Sequence, residues 1–163
     1  MIRTDCSLWA ALLLALGCTC CVSSSAWAEG DWEVTPASEQ ALRRGLDWLD
    51  ENQTDEGNWG SNDLGLVSMG ILSFLADVHF PGRGKSSLDY VLDQGKPSGL
   101  LNIAQERRDM YNHGLSTFVL GQAHGMTGDK RINETLDKAL KLIAYAQCED
   151  GGWDYIAHRQ QRG

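Results

Sequence analysis

Residues 46–59 read LDWLDENQTDEGNW, and residues 140–153 read LKLIAYAQCEDGGW. Each is a leucine-rich helical stretch followed by Gln, three residues, Gly, one residue and Trp. The matched positions are Gln53 and Gln147, Gly57 and Gly151, Trp59 and Trp153. A unit written twice constrains architecture before any single residue does, because each copy must bury its apolar face against a neighbouring copy.

A third, degenerate copy lies between them. SLDYVLDQGKPSGLLN (87–102) aligns without a gap to GLDWLDENQTDEGNWG (45–60). Leu88 matches Leu46, Asp89 matches Asp47, Tyr90 matches Trp48 and Gly99 matches Gly57. Leu101 stands where Trp59 stands, and the Gln is displaced by one residue. The register gives periods of about 40–50 residues, the length of one helical hairpin with insertions.

The local signals predict helices and no strand. Thr35 as a cap, Pro36 at the first helical position and Glu39 in the first turn predict a helix over 35–52. Leu42, Leu46 and Leu49 mark its apolar face. Residues 53–62 form a turn-rich loop. Residues 63–78 predict a helix apolar over much of its circumference, through Leu64, Val67, Ile71, Leu72 and Leu75. Such a helix is buried on more than one side. PGRGK (81–85) breaks the chain, and a short helix over 86–94 follows. Residues 100–110 are ambiguous. Residues 110–125 predict another largely apolar helix, stopped at Gly125. Residues 131–147 predict an amphipathic helix through Ile132, Leu136, Leu140, Ile143 and Ala144. Amphipathic and apolar helices thus alternate, as outer and inner helices do in a two-layer shell.

Residues 1–28 read as an export signal. Arg3 supplies the positive end, Leu8 to Gly17 an apolar stretch, and Ala26-Trp27-Ala28 a small-x-small cleavage site. Cleavage after Ala28 and a periplasmic or secreted protein are expected. Two alternatives stay open, a lipid tether on Cys18 and an uncleaved membrane anchor. Residues 29–163 suffice for one domain. The net charge of −8 argues against nucleic acid as a partner, since phosphates would be repelled. Four of the five Cys lie in the leader, leaving Cys148 without an intrachain disulfide partner. No Cys/His cluster has zinc spacing, so no metal and no cofactor is expected.

With these residues in view, the chain resembles a known superfamily. Gln-x3-Gly-x-Trp after a helix is similar to the QW repeat of squalene cyclases and protein prenyltransferases, the terpenoid cyclase α/α-toroid superfamily. LDWLDENQTDEGNWG, FLADVHFPGRGK, MYNHGLSTFVLGQAHGMTGDKRI and LIAYAQCEDGGWDY look more closely like secreted bacterial prenyltransferase and squalene oxidase repeat proteins. The resemblance spans 37–156. It implies an all-α fold: an α/α-toroid built from QW-type repeats, incomplete in this chain at roughly two and a half helical hairpins. The motif residues have structural work in that reading. Gln can bond groups at an adjacent helix end, Gly permits a positive-φ turn, and Trp packs its face on the next repeat while donating its N–H.

The chemistry that the resemblance implies is missing from this chain. Cyclases of the superfamily protonate an alkene or epoxide with an Asp-x-Asp-Asp acid, and no such motif is present. Prenyltransferases need zinc ligands, yet His79, His113, His124 and His158 have no partners at recognisable spacing. The thioester Cys with Glu-Gln of complement-like relatives and the Gly-x-Ser-x-Gly elbow are also missing. One stretch still marks a candidate: Tyr111, Asn112 and His113 open a predicted inner helix at the toroid mouth, where His113 could act as an acid or base. The bland reading has Asn112 capping and His113 hydrogen-bonded.

The expected function is therefore an exported, non-catalytic binding or scaffold module. Its concave face would hold an apolar, isoprenoid or peptide ligand. The alternative is the N-terminal part of a terpenoid cyclase-like or isoprenoid-processing enzyme whose catalytic residues lie beyond residue 163. A third, carbohydrate-active or lyase chemistry on a similar toroid, would depend on His113. Apolar inner faces of a partial ring would be covered by further repeats of a longer chain, by self-association, or by a ligand.

Overall fold

A computed structural model of the chain describes residues 34–60, 63–77, 83–104 and 106–157. The predicted cleavage site at Ala28 and the alternative tether at Cys18 lie outside the described residues, as do His79 and His158. Contacts divide the chain into residues 1–36 and 37–163. Apart from Pro36, everything below belongs to the second unit.

The described residues are all-helical. Helix α1 spans Pro36–Glu51, α2 Leu64–Leu75, α3 Lys85–Asp93, α4 Asp109–Thr127 and α5 Arg131–Ala146, with a 3-10 turn at Glu106–Arg108. The order alternates as the hydropathy does. α2 buries residues around most of its circumference, among them Leu64, Val67, Ile71, Phe74 and Leu75. α5 buries one stripe of Ile132, Ala139 and Ala146, the periodicity of an amphipathic helix with one wet face.

α2 packs along α4. Small polar side chains let them approach, with Ser68 Oγ donating to Ser116 Oγ at 2.9 Å and both residues fully buried. α3 and α5 cover these two inner helices and touch each other. The core comprises Leu64, Val67, Ile71, Leu88, Val91, Leu101, Val119, Leu120 and Ile132, with Trp59 and Leu136 against its edge. Such aliphatic burial supplies about 1.5–3 kcal/mol per large side chain. α1 joins the others by fewer means. Leu46 is its buried residue, and Arg83 holds Asp47 at 2.8 Å. Of the predicted apolar face, Leu42 is exposed and Leu49 half-buried.

One local expectation differs from the structure, and one open stretch is settled by it. α4 does not stop at Gly125. It runs to Thr127, and Gly128 takes the left-handed φ of 63° while its N–H donates to the His124 carbonyl. Gly125 stays helical because the left-handed cap is met three residues later. The ambiguous stretch 100–104 is irregular, pinned by side chains rather than by helix bonds. No helix among the described residues is long and apolar enough to cross a membrane.

Candidate functional site

The three motif turns close in the same way. The Thr54 N–H donates to the Asn58 carbonyl at 2.8 Å, Lys96 to Leu100 at 3.1 Å and Cys148 to Gly152 at 2.8 Å. Within each, the glycine N–H returns to the first residue: Gly57 to Thr54, Gly99 to Lys96 and Gly151 to Cys148, at 2.8–3.0 Å. Their φ angles are 92°, 89° and 87°. A side chain at such φ is strained, which fixes glycine at each turn.

The Gln and Trp of the outer motifs also make matching bonds. Gln53 Nε2 donates to the Gly57 carbonyl at 3.3 Å, and Gln147 Nε2 to Gly151 at 2.8 Å. Trp59 Nε1 donates to the Leu49 carbonyl and Trp153 Nε1 to the Ile143 carbonyl, both at 2.8 Å. The indole thus caps an orphan carbonyl near the end of its preceding helix. Trp59 then lies over Gly70 of α2 and stacks on Phe74 at 6.3 Å between ring centroids. Its ring therefore fastens α1 to the helix directly following.

What differs is the cover. Gln53 also bonds the Ser87 hydroxyl and accepts from Ser86 Oγ at 2.7 Å, at the first turn of α3. A Cβ on Gly57 would collide with the Ser86 carbonyl, and one on Gly99 with the Lys138 carbonyl of α5. Gly151 has nothing within 4 Å of that position, and Trp153 is 44% exposed.

An apolar groove of about 330 Å3 opens beside Trp59. It is lined by Trp48, Leu49, Trp59, Leu66, Val67, Met69, Gly70 and Ser73. Its polar groups are already engaged: Trp59 Nε1 on Leu49, and Ser73 Oγ on the Met69 carbonyl at 3.0 Å. Leu66 and Met69 of α2 are exposed in it, with Trp48 of α1 at the rim. The volume falls in the range of about 300–1,000 Å3 typical of small-molecule sites. Of these side chains the sequence marked only Trp59, as a structural residue of the repeat motif, although Leu66, Met69 and Ser73 recur on one helical face.

The candidates Tyr111 and His113 are not brought together. Tyr111 is exposed, near Met110, Trp153 and Tyr155, whereas His113 is fully buried. His113 Nδ1 accepts from the Leu101 N–H at 3.2 Å, and Nε2 lies 3.0 Å from the Ala139 carbonyl. These partners select the neutral Nε2–H tautomer, in which one nitrogen accepts and the other donates. Burial lowers the imidazole pKa, against smaller opposing contributions from the Ala139 carbonyl and Asp109. Both nitrogens are committed to backbone, so His113 ties the second turn to α5.

Beside it lies a polar network that sequence reasoning missed. Asn102 Nδ2 donates to Asp109 Oδ1 at 2.6 Å, while Asn102 Oδ1 accepts from Asn112 Nδ2 at 2.8 Å and from the Ala104 N–H at 3.0 Å. Asn112 therefore lies inside α4 and does not cap it. Arg108 pairs with Asp63 at the head of α2. The Met110 N–H donates to the Tyr155 carbonyl at 3.1 Å, bringing the segment after the third turn onto the start of α4. The network's carboxylates are both spoken for, and among the described residues no group of three His, Cys, Asp or Glu could hold a metal ion. Cys148 is buried with a free thiol.

In comparisons with known proteins, no family model matches the chain, and neither a curated protein nor a solved structure is found similar to it.

Proposed function

We propose that this chain is an exported, non-catalytic binding module of the QW-repeat, α/α-toroid kind, and that it takes an apolar ligand of isoprenoid type. Two helical hairpins and the outer helix of a third make up the repeat reading. It is supported by three turns that share backbone hydrogen bonds and φ, the outer two also matching in the bonds of their Gln and Trp.

The groove beside Trp59 carries the ligand assignment. Its walls are indole, leucine, valine and methionine, and the Trp59 and Ser73 donors are spent on backbone carbonyls. Recognition there is by shape, dispersion and apolar burial, which suits a branched hydrocarbon and penalises a charged head.

Titrating the protein with a prenyl alcohol while following tryptophan fluorescence tests this. The expected result is a saturable change, lost in Met69→Lys with the fold intact by circular dichroism. Absence of saturable binding, or turnover of the prenyl compound, would overturn the reading.

A further inference from the structure

The turns at Gly57 and Gly99 dock at one position of the helices they meet, the Ser86 carbonyl of α3 and the Lys138 carbonyl of α5. In the register that superimposes the three motifs, Ser86 and Lys138 are the same position, and Arg44 of α1 is its third occurrence. The next position holds Ser87, Ala139 and Gly45, a small residue each time. Ser87 and Ala139 are fully buried there. Gly45 is exposed, with nothing within 4 Å of where its Cβ would stand.

The opposite half of the same contact is also uncovered. The Gly151 turn has the backbone bonds and φ of the other two, and nothing lies within 4 Å of its Cβ direction. The molecule thus builds one loop-on-helix interface twice and shows each half of a third copy on its surface. The charges of the two halves are complementary. The turn tip carries Glu149 and Asp150, both exposed, and the ridge carries exposed Arg43 and Arg44.

We infer that these halves meet between two copies of this chain, the Gly151 turn of one docking on the Arg44–Gly45 ridge of the next. The inference rests on reading the three turns as copies of one unit. It continues an interface that the chain already makes internally, with acidic loop against basic ridge supplying orientation. The contact is head-to-tail and heterologous, so it closes as a ring or extends as a chain of copies.

Light scattering on the full chain over a concentration series tests it. The expected mass exceeds one chain, rises with concentration and falls with added salt, since exposed charges are screened. Gly45→Lys adds a long side chain where nothing crowds it, so the fold survives and the dissociation constant rises at least about tenfold. Gly45→Ala keeps association, because Ala139 fills that position in the interface already made. Gly151→Ala blocks the turn instead of the ridge. Mixing it with Gly45→Lys leaves one good turn and one good ridge, which predicts a 1:1 dimer that grows no further. A single-chain mass at every concentration, or an oligomer indifferent to Gly45→Lys, would overturn the inference. Prenyl-alcohol binding by the Gly45→Lys protein reads the groove separately, so the two proposals fail independently.

Discussion

The Gly57 and Gly151 turns are the same object in two settings. Their backbone bonds match, and their glycines agree in φ to within a few degrees. One is closed over by the first turn of α3, with Gln53 tied to two serine hydroxyls; the other faces solvent. The turn's shape therefore does not depend on the neighbour it packs against. Local chemistry sets the geometry: positive-φ glycine, a Gln amide on the glycine carbonyl, an indole N–H on the preceding helix. Burial then adds stability at the covered copy alone.

Glycine substitution should separate those two contributions most sharply. Gly57→Ala incurs the positive-φ strain and a collision with backbone that cannot swing away, costing about 2–5 kcal/mol in all. Gly151→Ala incurs the strain alone, about 1–2 kcal/mol. Urea unfolding of the two variants measures the gap. Equal losses would mean that the docked carbonyl contributes nothing.

The tryptophans give the next largest contrast. Trp59→Ala removes a ring packed on Gly70 and Phe74 as well as the bond to Leu49, for about 3 kcal/mol. Trp153→Ala removes a half-exposed ring and a similar bond, for about 1 kcal/mol. Thermal unfolding of the pair would show the difference directly.

The middle copy has no Gln at the motif position, and its link to α5 runs through His113 instead. Burial depresses that imidazole below its ordinary 6.5. The unfolded chain then binds a proton that the folded chain refuses, so His113 leaves stability intact above about pH 6.5 and erodes it as pH falls further. The slope approaches at most about 1.4 kcal/mol per pH unit. Urea midpoints between about pH 7.5 and about pH 5 should fall in the parent and fall less steeply in His113→Gln.

The smallest contrast is in the Gln pair. Gln53→Ala strands the Ser86 and Ser87 hydroxyls near a part-buried interface, for about 1–2 kcal/mol. Gln147→Ala loses one exposed bond, worth under about 1 kcal/mol. A reversed order would mean that α3 does not stabilise the turn it covers.

These contrasts follow what the sequence could and could not convey. Gln-x3-Gly-x-Trp is legible because its spacing is local, and Gly99 alone locates the middle turn. The alternation of α1 to α5 is legible because α5 buries one stripe, whereas α2 buries most of its circumference and α4 a broad face. The head of α4 is not legible. Asn102 bonds both Asp109 and Asn112 across an irregular segment with no periodicity, and such pairing is written in three dimensions only. The end of α4 is misplaced by sequence because Gly125 and Gly128 are equivalent as letters, and only Gly128 adopts the left-handed cap. Nor could the spacing show Leu42 at the surface, since its exposure depends on what covers α1. The groove escapes notice for a similar reason: Leu66 and Met69 line a site only once the Trp59 ring is placed beside them.

Amide hydrogen exchange at Thr54, Lys96 and Cys148 tests the central claim most directly, because each of these N–H groups makes the bond that closes its turn. If the three turns are one preformed unit, then in the Gly45→Lys protein, whose ridge is blocked, all three amides are protected, and Cys148 in the uncovered turn exchanges fastest while remaining well below the rate of an open chain. A Cys148 amide exchanging as freely as an unfolded segment would show that the turn forms only when a helix covers it, and would contradict the account.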